Sequence, residues 1–77
     1  MPRILVIDDE KPIRKTLREI LEYEKYEVEE AADGLEGIKL AEKDNFDVIL
    51  CDIKMPRMDG IEVVEKLTQL RPEIPLV

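Results

Sequence analysis

Ile4-Leu5-Val6-Ile7-Asp8-Asp9 sets four aliphatic residues in an unbroken row and ends them on two adjacent aspartates. A strand with one wet face alternates apolar and polar side chains, so an unbroken row this short is expected of a strand covered on both faces. It is read as a first strand inside a parallel sheet. Beyond it, Pro12 suits a first helical turn, and Ile13, Leu17, Ile20 and Leu21 follow at the spacing of one helical face. Tyr26 and Val28 then alternate with Glu27 and Glu29, the pattern of a short edge strand.

Asp33 stands where it would cap a second helix carrying Leu35, Ile38 and Ala41 on one face. The Asp33-Gly34 pair also suits a hairpin, but helical spacing follows it. Phe46, Val48, Ile49, Leu50 and Cys51 form the second apolar row, closed by Asp52. After a proline-bearing loop and Asp59-Gly60, the residues Ile61, Val64, Leu67 and Leu70 mark a third helix that Arg71 and Pro72 end. Ile74, Pro75, Leu76 and Val77 open a fourth apolar run.

Strands alternating with helices across short connections imply an α/β fold with parallel strands and right-handed crossovers. Two buried strands and one half-polar strand fit the spatial order 2-1-3-4, a flavodoxin-like doubly wound sheet. In that order a ligand sits beyond the carboxyl ends of strands one and three, where the winding reverses. Asp8 and Asp52 are expected at those two ends.

The 77 residues allow one domain or a piece of one, and 44% hydrophobic residues in short blocks favour a globular fold over disorder despite 40% charged residues. Nineteen acidic residues against twelve basic ones give a net charge of −7, which disfavours nucleic acid and anionic lipid as partners of this segment. No apolar stretch is long enough to span a membrane and no signal-peptide pattern is present, so a cytoplasmic location is expected. Cys51 lies within an apolar row, and the chain has no histidine to activate it; it reads as a small buried hydrophobe.

If strands one and three are neighbours at roughly 5 Å, Asp8, Asp9 and Asp52 converge on one rim. Three carboxylates at close range raise one another's cost of ionisation unless a cation joins them. Mg2+ takes oxygen ligands, commonly one or two carboxylates with water and a phosphate oxygen, whereas zinc favours His or Cys. A carboxylate held beside such an ion can attack phosphorus to give an aspartyl phosphate, and Asp52 at the end of the central strand is the candidate. The residues alone leave a second reading open, in which the three are solvated turn aspartates.

Ile4-Leu5-Val6-Ile7-Asp8-Asp9-Glu10, Ala32-Asp33-Gly34 and Asp52-Ile53-Lys54-Met55-Pro56-Arg57-Met58-Asp59-Gly60 together resemble the receiver domain of bacterial response regulators, over Arg3 to Val77. The resemblance implies that Asp52 is the phosphoacceptor, that Asp9 binds Mg2+ directly and Asp8 mainly through water, and that the backbone carbonyl of Lys54 completes the metal sphere. Pro56 and Gly60 would shape the loop, while Met55 and Met58 read as packing residues. Lys11 and Arg14 read as solvated charges, although helix one is the family's usual docking surface.

The implied function is a signalling switch, not an enzyme, phosphorylated by a histidine kinase or phosphotransfer protein and regulating an output domain outside residues 1–77. The loop wording is similar to that of receivers attached to transcription activators. The family's Ser or Thr after strand four, its Lys after strand five and its last helices are expected beyond Val77, so residues 1–77 read as the N-terminal part of the domain. Two rivals remain. Haloacid-dehalogenase-like phosphatases need Asp-x-Asp where this chain has adjacent Asp8 and Asp9; an excised half-domain would be a folding or assembly fragment without phosphorylation activity, and self-association of the chain is expected on either account.

Overall fold

The computed structural model describes residues 2–52 and 60–77. Six elements follow in order: β1 (Arg3–Ile7), α1 (Lys11–Tyr23), β2 (Glu27–Ala31), α2 (Gly34–Lys43), β3 (Val48–Cys51) and α3 (Gly60–Leu70). The strands form one parallel sheet in the order β2-β1-β3. Beyond β3, Leu76 makes a parallel bridge with Ile49, which extends the order to the expected 2-1-3-4. Ile49 donates its N–H to the Pro75 carbonyl at 3.0 Å and accepts from the Val77 N–H at 2.9 Å.

Alternation along β1 explains why its row is unbroken. Leu5 and Ile7 face one cluster with Ala31, Ala41, Phe46, Ile49, Val63 and Leu67, on the side covered by α2 and α3. Ile4 and Val6 face a second cluster with Val28, against which Leu17 and Leu21 of α1 pack. Both faces of β1 are therefore dry, and Ile4, Leu5, Val6 and Ile7 are all buried. In β2 Val28 and Ala31 are buried while Glu27 and Glu29 are exposed, as an edge strand requires.

Asp33 caps α2 as expected, accepting the Glu36 N–H on its carboxylate at 2.9 Å. Pro12 lies in the first turn of α1. The helix faces differ in detail from the expected ones. On α1, Leu17 and Leu21 are half-buried, but Ile13 is 42% and Ile20 57% exposed. The helix lies over the β1–β2 pair, so its covered stripe is centred on Arg14, Leu17, Arg18 and Leu21, and Ile13 falls on the flank toward Leu50 and Cys51 of β3.

On α2 the buried positions are Gly34, Gly37 and Ala41, with Leu35 turned outward. Small residues let this helix come down onto β1. A Cβ on Gly37 would run into Cδ1 of Ile7 and lie 2.8 Å from its Cγ1. On α3 the buried pair is Val63 and Leu67, four residues apart, while Ile61 and Leu70 are exposed. Ile61 and Leu70 are separated by about two and a half helical turns, so they stand on opposite sides and cannot share one covered face.

Candidate metal centre

β1 delivers Asp8 to the rim of the sheet, and register with its two neighbours fixes where Asp8 points. Ile7 pairs with Ala31 on one side and Cys51 on the other, so the residues that follow Ile7 and Cys51 emerge side by side. Asp8 donates its N–H to the Ala31 carbonyl at 3.1 Å, and Asp52 donates its N–H to the Ile7 carbonyl at 2.9 Å. Asp8, Asp9 and Asp52 each bring a carboxylate oxygen to within 4.8 Å of the others. The sheet thus assembles the triad that sequence spacing suggested, from segments far apart in the chain.

The three side chains sit in different surroundings. Asp8 is buried, and its Oδ1 accepts the Glu10 N–H at 2.9 Å. Asp52 is half-buried and Asp9 exposed. One carboxylate is thus fixed by the backbone while another faces solvent. Oxygen donors without nitrogen or thiolate suit a hard cation such as Mg2+ better than zinc. Lys54, Met55, Pro56 and Met58 lie outside the described residues; Gly60 opens α3.

Arg14 is not the solvated charge expected from sequence. Its side chain is 13% exposed. Nη1 donates to the Asp8 carbonyl at 2.8 Å and Nε to Glu30 Oε1 at 3.1 Å. Arg18 donates to the other Glu30 oxygen at 2.8 Å. The hydrogen bond from Arg18, reinforced by Arg14 and opposed by partial burial, holds the Glu30 carboxyl below the ordinary glutamate range. The helical spacing of Arg14 and Arg18 was visible in the sequence; the partner Glu30 on β2 was not, because their meeting depends on how α1 crosses the sheet.

Cys51 is half-buried, less covered than its apolar row suggested, because it closes β3 at the rim of the sheet. Burial first, then the charges of Asp52 and Asp8, pushes its thiol up from 9.0 to about 11. It stays protonated near neutral pH, when thiolate is the reactive form. Alkylation by iodoacetamide at pH 8 should therefore run about tenfold or more slower in the folded chain than in denaturant, the smaller thiolate fraction outweighing the greater nucleophilicity of a more basic thiolate. Equal rates would show that the thiol is open to solvent.

A family model, the response regulator receiver domain, matches residues 4–77. The chain belongs to this family. Receiver domains are signalling modules of response regulators. This receiver is 40% identical over 75 residues to the response regulator MprA of Mycolicibacterium vanbaalenii and 37% identical over 75 residues to that of Mycobacterium leprae, each match covering 97% of the chain. It spans about a third of the length of these curated relatives (32% and 33%).

Among solved structures, the CheY-like receiver domain protein of Methanospirillum hungatei matches with a TM-score of 0.97 and 43% identity, over 99% of this chain and 61% of that one. The response regulator TrrA of Thermotoga maritima, solved in complex with Mg2+-BeF, matches at 0.94 and 38% identity, over 99% of this chain and 66% of TrrA. TrrA in complex with the histidine kinase ThkA matches at 0.92 and 38% identity, with the same two coverages. The flavodoxin-like reading of the sheet is thereby established. Among the described residues, no helix is long and apolar enough to cross a membrane.

Proposed function

We propose that this receiver is the phosphoaccepting part of a two-component switch. Asp52 takes a phosphoryl group from a histidine kinase or phosphotransfer protein, with Mg2+ held by Asp8, Asp9, Asp52 and the Lys54 backbone carbonyl, and its phosphorylation governs an output domain elsewhere in the parent protein. The observation that carries this reading is the convergence of three carboxylates within 4.8 Å at the end of β1 and β3. Support also comes from TrrA, which was solved with Mg2+-BeF and with its kinase.

The donor set fits the ion, which when bound supplies positive charge that offsets the carboxylates and the incoming phosphoryl oxygens. In the transfer an Asp52 oxygen forms the new bond to phosphorus as the bond from phosphorus to the donor imidazole nitrogen breaks. The electron pair leaves with the imidazole, and the Asp52 backbone, tied to Ile7, keeps the attacking carboxylate at the rim.

Titrating Mg2+ into the chain and following backbone amides by NMR tests the site. The largest shifts are expected at residues 8–10 and 52–54; largest shifts elsewhere would overturn the assignment.

The assembly reading has an observation of its own. A groove of about 420 Å³ at the carboxyl ends of β1 and β3 is lined by Ile13, Leu17, Leu50, Cys51 and Val77 together with the rim residues Asp8 and Asp52, with Val77 78% exposed. On this reading isolated 77-residue chains associate through that face. Sedimentation equilibrium at about 100 μM, well above the dissociation constants of ordinary interfaces, should then show species heavier than a monomer, and a purely monomeric chain would rule it out.

A further inference from the structure

We propose that Arg14 is a positioning residue for the metal-binding aspartates, a proposal that rests on the Mg2+ reading above. Asp8 is held at three points. Its N–H is bonded to Ala31 of β2, its carboxylate to the Glu10 N–H, and its carbonyl to Arg14 Nη1. That carbonyl belongs to the peptide joining Asp8 to Asp9. Rotation of the peptide swings the Asp9 carboxylate, which is exposed and has no burial to restrain it. The Arg14 contact restrains the rotation from the first turn of α1.

Arg14 is itself anchored. Glu30 accepts from its Nε, and Arg18 donates to the opposite oxygen of the same carboxylate, so the guanidinium is fixed between β2 and the rim. A planar fork with several donors can bond a carboxylate and a carbonyl at once; an ammonium has no such fixed geometry. Glu30 also offsets the charge of Arg14, which leaves the guanidinium on a neutral carbonyl instead of on the Asp8 or Asp9 carboxylate. The arrangement resembles the outer partners that orient metal ligands, whose loss typically lowers metal affinity by about tenfold or more.

Charge and positioning predict opposite signs here. Arg14 is a cation near a cation site, so its removal should tighten Mg2+ binding if charge dominates. If positioning dominates, removal should weaken it. The experiment is Mg2+ titration by amide NMR on the parent chain, Arg14→Ala, Arg14→Lys and Glu30→Gln, together with amide positions of the metal-free proteins. Arg14→Ala is expected to weaken Mg2+ about tenfold, Arg14→Lys to recover part of the loss, and the metal-free amides of Asp9 and Glu10 to move while those of α2 and α3 stay in place. Unchanged or tighter binding in Arg14→Ala overturns the proposal and leaves the Mg2+ site standing. A parent chain that binds no Mg2+ at residues 8–10 and 52 overturns both. Should Arg14→Ala fail to fold, Glu30→Gln decides: it keeps the Arg14 charge but weakens its anchor, and affinity equal to the parent's would sink the proposal.

Discussion

Asp52→Asn is expected to abolish phosphorylation by a small phosphodonor with Mg2+ in a response regulator carrying this receiver, as read by intact-mass analysis. Asparagine keeps the size of the side chain and the backbone bond from residue 52 to the Ile7 carbonyl, so the rim should keep its shape. It removes the nucleophile, because a neutral amide oxygen is a far poorer one than a carboxylate. It also takes one negative charge out of a set of three that lie within 4.8 Å, which should weaken Mg2+ binding while relieving repulsion in the metal-free protein. The expected combination is therefore lost phosphoryl transfer with unchanged or slightly raised stability. Undiminished phosphorylation of the variant would remove Asp52 from the role of acceptor.

Leu5→Ala should have the largest effect on folding. Leu5 is fully buried, registers with Glu29 on one side and Ile49 on the other, and belongs to the cluster that joins the sheet to α2 and α3. Truncating a buried leucine costs about 2–5 kcal/mol, through lost transfer energy and the cavity left behind. A chain of this length has roughly 4–12 kcal/mol of total stability at typical values per residue. The loss is a large fraction of that total, so the urea midpoint of the variant should fall steeply. Tyr23→Ala, at a site 85% exposed, serves as the comparison and should change stability by only about 0.5 kcal/mol. Similar midpoints for the two variants would contradict the packing described for β1.

Strand order was legible because buried parallel strands announce themselves as unbroken apolar rows, and the rows from Ile4 and from Val48 both end where the carboxylates begin. The Asp33 cap was legible for a local reason, since a cap depends on residues three apart. The helix faces were less so. Gly37 contributes nothing to a hydrophobic pattern, yet it is where α2 meets Ile7, and the residue that pattern favoured, Leu35, is exposed. Arg14 was misread for the same kind of reason: charge on a helix suggests solvent, and only the crossing of α1 over β2 reveals that Glu30 waits beneath it. Local chemistry survives in a sequence, whereas the rotation of a helix about its own axis is decided by what it lands on.

The pairing of β1 with both neighbours also requires two chain closures of different length. Joining β1 to β2 closes the chain between Arg3 and Glu27, a shorter loop than the one between Ile4 and Val48 that brings in β3. The longer closure costs only about half a kcal/mol more in chain entropy, yet it makes β1–β3 the contact of greater sequence separation and hence the slower kind to form. Asp8 and Asp9 arrive with the first closure and Asp52 with the second. The acidic rim is thus completed only when β3 docks on β1.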